Sequence, residues 1–301
     1  MADIKIVVLG SNGCYQSAAE QFNLEFTQMD EADVVLNLAP LEERAAATKA
    51  ALDAGKHVYS EFPIAACMNE ANALADYAQA KGLLLCAGPD VFLGACVQGA
   101  RRLLEENVIG KPFAAAARLF RRADCDWQAE AAAYITALMN MFGAVKSVAG
   151  MATGAHRTGL LRFAGGEVAS VVFSHEAYSM PGVNSLEIYG AQGNMALDRL
   201  DGTIRIKIGD DGVLPADGSW GGGEWLPIDS PYDAINQDPG IGLADMAAAL
   251  RDGRAPRAGA NQALHALEVL TAMEQAAAEG REVTITTPYE RGAMLSLTGA
   301  L

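Results

Sequence analysis

The feature that most constrains this chain is an alternation near its start. "IKIVVLG" (Ile4 to Gly10) and "DVVLNLAP" (Asp33 to Pro40) are apolar runs closed by turn residues, and "HVYSEFP" and "LLLCAGP" repeat the pattern. Runs of this kind read as strands of a parallel sheet buried on both faces. Between them lie "LEERAAATKAALDAG" and "CMNEANALADYAQAKG", alanine-rich segments with helical spacing that each stop at a glycine, as a helix C-terminus should. Strand-helix alternation predicts a doubly wound α/β layer.

After "VIGKPFAAAARLF" the pattern changes. "RTGLLRFAGGEVASVVFSHE" and "NSLEIYGAQGNMALDRLDGTIRIKI" alternate apolar and polar residues around Gly-Gly, Gln-Gly and Asp-Gly turns, which predicts an antiparallel sheet of hairpins. "DWQAEAAAYITALMNMFG" and "NQALHALEVLTAMEQAAAEG" are the long helices of this half, and "DGSWGGGEW" is a loop. The reading is therefore a Rossmann-like parallel-sheet domain with a reduced N-terminal half over residues 1–112. A domain with an open, mainly antiparallel sheet follows over residues 113–301.

Composition narrows the function. With 22 basic and 37 acidic residues the net charge is −15, and the basic residues form no run, which disfavours nucleic acid and anionic membrane as partners. No apolar stretch approaches the roughly 18 residues a membrane span needs, and "MADIKIVVLGSNG" has no targeting pattern, so a cytoplasmic location is expected. The 5 cysteines have no C-x-x-C spacing and suit free thiols. No metal is expected, because no two histidines or cysteines have ligand spacing.

The stretch from "AALDAGKHVYSEFPIAACMNEANALADYAQAKGLLLCAGP" to "VIGKP" resembles the glucose-fructose oxidoreductase / inositol dehydrogenase / MocA family (Gfo/Idh/MocA), and "AAYITALMNMFGAVKSV", "AHRTGLLRFAGGEVAS", "SLEIYGAQGNMAL" and "ALHALEVLTAMEQAAAEGREV" follow in that family's order. The resemblance implies a dinucleotide-binding Rossmann domain, an open sheet that serves as an oligomer interface, and NAD(P)-dependent chemistry on sugars and polyols.

The chain departs from that pattern where the chemistry sits. The family's strand ends Glu-Lys-Pro, with the lysine beside nicotinamide and substrate; here Phe62 holds that place. A phenyl ring moves no proton, whereas acid-base catalysis needs a titratable group in reach. The family's aspartate and the histidine or tyrosine one turn on fall at Ala129 and Ala133. The phosphate loop "GSNGCY" has Gly10 and Gly13 but not G-x-G-x-x-G. The chain from Gly10 to Ala32 is too short for a βαβ unit of about 30 residues plus a second crossover. Asp30 lies about 20 residues after Gly10, where a ribose-binding acid is expected, but its neighbour strand at Asp33 follows too closely for adjacent parallel strands. The stretch "SAAEQFNLEFTQMDEADVV" resembles instead the family's second helix and the short strand after it, and on this alignment the first helix and the ribose-binding strand are absent. Gly10, Asn12, Gly13, Asn37 and Pro40 are vestiges of a cofactor site, and no cofactor is expected, NAD(P) being the alternative.

Candidate site residues each carry two readings. Glu61 sits at a strand's carboxyl end, where open α/β sheets bind ligands, and is a catalytic or a structural carboxylate. Asp90 and Phe92 line the substrate side of the cleft by resemblance, or Asp90 caps the helix that starts at Phe92. Phe62, Asp126, Trp127 and Tyr134 are candidate substrate contacts, the aromatic-plus-carboxylate pair suiting polyols; Asp124, Asp126 and Trp127 equally suit a solvated helix start. Of the 4 histidines, His175 is the one whose position allows it to point into a cleft, while His57, His156 and His265 read as structural.

Three functional classes follow. The first is a redox-inactive protein binding a carbohydrate-like ligand or an active homologue; the second is a non-redox lyase or epimerase using Glu61 with Asp90 or Asp126; the third is an NAD(P)-dependent sugar or polyol dehydrogenase with unusual catalytic groups. A homo-oligomer built through the open sheet is expected in each.

Overall fold

The computed structural model describes residues 4–10, 15, 22, 24–122, 127–177, 184–198, 200, 202–209, 224–230, 232 and 240–296. Among them, β1 (Lys5–Leu9), β2 (Glu25–Phe26), β3 (Val34–Asn37), β4 (His57–Ser60) and β5 (Leu85–Ala87) form a parallel sheet in the order β2-β1-β3-β4-β5. Every residue of β3 is buried, as a strand covered on both faces must be. Helices α1 (Leu41–Asp53), α2 (Met68–Ala80) and α3 (Ala95–Glu105) follow β3, β4 and β5.

The second sheet holds β6 (Pro112–Phe120), β7 (Val145–Thr153), β8 (His156–Phe163), β9 (Val168–Ser174), β10 (Ser185–Gly190), β11 (Gly193–Leu197), β12 (Ile204–Ile208), β13 (Leu226–Ile228) and β14 (Val283–Thr284). Its order is β13-β12-β11-β10-β6-β9-β8-β7-β14, antiparallel apart from the parallel pair β6 and β9. Helices α4 (Trp127–Phe142), α5 (Ile241–Asp252) and α6 (Ala260–Glu279) belong to this half. Gly150 and Gly159 face each other where α6 crosses β7 and β8; a methyl on Gly150 would stand 2.9 Å from the Met273 carbonyl, so only bare backbone lets the helix down. The opposite face of the sheet is open, with Leu160 60% and Met151 78% exposed.

One expectation is corrected. A strand does lie between β1 and β3 in the chain: Glu25 and Phe26 pair in parallel with Lys5 and Ile6. The objection that two parallel neighbours cannot be joined so tightly does not apply, because β2 and β3 flank β1 instead of touching each other. The chain rounds the amino end of β1 through a 3-10 turn, Met29–Glu31, with the Thr27 amide donating to the Ile6 carbonyl and the Asp33 amide to the Lys5 carbonyl, both at 2.8 Å. Lys5 Nζ meets Glu31 Oε2 at 3.1 Å and closes the turn. The pairing of β2 stops opposite Ile6, short of Leu9, at the end of the sheet away from any cofactor.

Candidate functional site

Ligands of open α/β sheets bind beyond the carboxyl ends of the strands, where the order reverses. Here that point lies between β1 and β3, and it is tightly built. Gly10 adopts φ +105°, and a side chain there would come within 2.6 Å of the Leu38 carbonyl oxygen, so the exits of β1 and β3 are pressed together. Asn37 spends its amide locally: Nδ2 donates to Arg44 O and Thr48 Oγ1 at 2.9 Å each, while Oδ1 accepts from the Ala39 amide at 3.1 Å. The Pro40 carbonyl accepts from the Glu43 and Arg44 amides and starts α1. Of the five vestigial cofactor positions, Asn12 and Gly13 lie outside the described residues.

At the head of β4, Glu61 is held by Arg44 of α1, with Nη2 3.2 Å from Oε2. Phe62 is 5% exposed and packs into the common core. Phe92 is buried as well, its carbonyl accepting from Gln98 Nε2 at 2.8 Å. Ala129 and Ala133, one turn apart on α4, pack against that core and carry no titratable atom.

Asp90 does not cap the helical turn at Phe92 through its side chain, which the alternative reading of it expected, although it immediately precedes that 3-10 turn, Val91–Leu93. Its Oδ2 instead accepts from the Gly242 and Gly240 amides, at 2.8 and 3.3 Å, and from the Tyr59 hydroxyl at 3.1 Å. These amides open α5, and a carboxylate there complements the helix dipole. Burial pushes the Asp90 carboxyl up and the fully buried Tyr59 phenol well up. Glu61 and Asp90 therefore face different partners, one α1 and the other α5.

The remaining candidates gather on the large sheet. Trp127 opens α4, the His175 imidazole stacks on its indole at 5.6 Å between centroids, and the Arg157 guanidinium lies 4.3 Å from the indole centroid. Arg157 also pairs with Glu274. Tyr134, two turns along α4 from Trp127, is buried beside Phe173 of β9, 6.4 Å ring to ring. Asp124 and Asp126 lie outside the described residues. His57 Nδ1 accepts from the Leu84 amide and His265 Nε2 from the Val145 amide, and burial lowers the pKa of both rings. His156 Nδ1 lies 2.7 Å from Ser174 Oγ.

Sequence reasoning missed Arg44, Tyr59 and Gly242. Tyr59 is the one with a visible signal, a phenol two places before Glu61 in β4; Gly242 joins it from far along the chain. Among the described residues no group of three or more His, Cys, Asp or Glu could hold a metal ion, and no helix is long and apolar enough to cross a membrane.

A parallel five-stranded layer joined to a large, mostly antiparallel sheet is a fold that this chain shares with solved structures. An NAD-binding oxidoreductase from Klebsiella pneumoniae superposes with a TM-score of 0.79 at 15% identity, covering 96% of this chain and 100% of that one. Levoglucosan dehydrogenase in complex with NADH and levoglucosan gives 0.76 at 17%, covering 94% and 99%. Aldose-aldose oxidoreductase from Caulobacter crescentus, complexed with glycerol, gives 0.75 at 17%, covering 94% and 100%. No family model and no curated protein matches the sequence.

Proposed function

We propose that the chain is a redox-silent protein of the Gfo/Idh/MocA type, which binds a small sugar- or polyol-like molecule or pairs with an active homologue and transfers no hydride. The observation that carries this reading is Phe62, 5% exposed at the head of β4, where the resemblance calls for a lysine. Three further points support it: Ala129 and Ala133 offer no proton, Glu61 is engaged by Arg44, and β2 ends before the level at which a ribose acid would sit. The ligand class rests on neighbours of this fold that are named for aldose and levoglucosan chemistry.

Titration calorimetry with NAD, NADH, NADP and NADPH tests the reading. We expect no binding tighter than about 100 µM, roughly 5.5 kcal/mol, and no change in reduced-nicotinamide absorbance with a panel of sugars and polyols. Tighter binding by any of the four favours the second reading, an NAD(P)-dependent sugar dehydrogenase, which draws its support from the NADH complex of a structural neighbour. The open sheet face and the exposed Leu160 and Met151 support assembly as a homo-oligomer through that face. The thiols Cys67 and Cys86, in no disulfide, suit a reducing, cytoplasmic compartment.

A further inference from the structure

Residues 292–295 belong to no helix or strand, yet each gives a main-chain group to a side chain from elsewhere in the fold. The Gly292 carbonyl accepts from Arg101 Nη1 at 2.9 Å, the Ala293 carbonyl from Arg257 Nε at 3.0 Å and the Met294 carbonyl from Arg257 Nη2 at 3.5 Å. The Leu295 amide donates to Gln98 Oε1 at 3.1 Å. Gln98 and Arg101 are buried side chains of α3. Gln98 is oriented for this task, because its Nε2 donates to the Phe92 carbonyl at 2.8 Å and leaves an acceptor, Oε1, for the segment. Arg257 is held by the fully buried Asp245 of α5, which pairs with its Nη1 and accepts from its backbone amide at 2.6 Å. The segment also gives a bond: Arg291 Nη1 donates at 2.8 Å to the carbonyl of Met141, one of the last of α4, where a helix leaves carbonyls without partners. Recognition thus falls on the main chain, with the buried Leu295 side chain as its apolar anchor. Proteins read extended peptides in the same way, backbone hydrogen bonds supplying affinity and an anchored side chain supplying register.

We infer that residues 291–295 are a peptide ligand carried in cis, and that α3 together with Arg257 is a binding site for an extended peptide of this kind. While seated, the segment is a strap that clasps α3, which follows the parallel sheet, to α4 and to the chain after α5 in the other half. Gln98 and Arg101 stand one helical turn apart on α3, so the two ends of the strap engage one face of that helix. The site selects main-chain geometry and one apolar side chain, and it tolerates change at the exposed Ala293.

A nicked protein tests the site. A recognition sequence for a specific protease is placed in the full chain between Glu290 and Arg291, both exposed, and cut after folding. The released segment should stay with the protein through gel filtration, and a fluorescent synthetic peptide of residues 291–301 should replace it over time. Arg101→Met, which removes a charge-assisted hydrogen bond, should speed that replacement by about ten-fold. A labelled peptide carrying Leu295→Asp should not enter, whereas one carrying Ala293→Ser should enter as the native peptide does. Immediate loss of the segment on cutting overturns the proposal, and so does a retained segment that no peptide replaces, which would make it a fixed part of the core. In the uncut chain, Arg101→Met should speed hydrogen exchange of the Leu295 amide by about ten-fold and leave the amides of β8 and β9 at wild-type rates. Unchanged exchange at Leu295, or equal acceleration in β8 and β9, contradicts the strap. No nicotinamide takes part, so these outcomes are independent of the calorimetric test of the proposed function.

Discussion

Arg44 holds Glu61 from one side only. Its Nη2 reaches the carboxylate at 3.2 Å, while Nη1 and Nε donate to the Pro63 and Ala39 carbonyls at 2.9 and 3.1 Å, and the guanidinium side chain is 7% exposed against 41% for Glu61. The pair is therefore unequal. Glu61→Gln should change stability by less than about 1 kcal/mol, since a half-exposed ion pair contributes little. Arg44→Ala strands two carbonyls and should cost about 2 to 4 kcal/mol. Urea unfolding of both variants checks this; a larger loss in Glu61→Gln would show that the two partners contribute alike.

Phe62→Ala should cost about 3 to 5 kcal/mol, the usual range for deleting a buried phenyl ring. Phe62→Lys should also be destabilised, because the ammonium enters a site built for an apolar ring. It should gain no dehydrogenase activity. An unchanged unfolding midpoint in Phe62→Ala would show that the ring is free to stack on a ligand.

Asp90 predicts a pH dependence whose sign can be worked out. Burial raises its carboxyl above the ordinary value of 3.8, so the folded chain holds the proton more tightly than the unfolded one. The stabilisation from this linkage is complete below about pH 3.8 and is lost as pH climbs through the raised folded value. Tyr59 is the titratable side chain bonded to it and stays protonated throughout this window. Asp90→Asn keeps an acceptor for the Gly242 amide and removes the titration. Thermal melts from pH 4 to 7 should show the variant gaining on the wild type as pH rises; parallel curves would contradict the assignment.

The open face of the large sheet makes the fourth prediction. Leu160 of β8 stands between Ala149 of β7 and Ser170 of β9, with Met151 beside it, a flat patch that two copies can share. Light scattering at micromolar concentration should give a dimer mass or larger. Leu160→Arg should lower that mass without lowering the unfolding midpoint at dilute concentration. A monomeric wild type would remove the interface.

Much of this architecture was legible from periodicity. The runs at Val34, His57 and Leu85 read as buried strands because they are short, centred on branched, aromatic or other apolar residues and closed by turn residues, and Gly55 and Gly82 mark helix ends because both adopt a positive φ after their helices. The place of the strand at Glu25 on the far side of β1 was not legible, since two residues carry no period and nothing local sets which neighbour they pair with. The candidate site was legible in composition but not in connectivity. Phe62 announced an apolar head to β4. That Asp90 serves a helix starting at Ile241 depends on a contact across 152 positions, which no local pattern encodes. Glu61 similarly looked available because its partner lies on the preceding helix, 17 positions back, as one arginine among many polar side chains.

The parallel pair in the large sheet bears on how the chain acquires its shape. Ala114 on β6 meets Val168 on β9, while β7, β8 and α4 all lie between them in the sequence, and β10 then closes against the other side of β6. The hairpin neighbours β7, β8 and β9 form from contacts close in sequence, whereas β6 has to wait for that meander before it gains its first flank. Loop-closure entropy is thus met before the central strand is rewarded, and folding of this half is paced by the arrival of β6 rather than by any hairpin. Substitutions along β6, such as at the buried Ala115 and Ala117, should accordingly slow refolding at least as much as they speed unfolding, because the docking of that strand is the rate-limiting step.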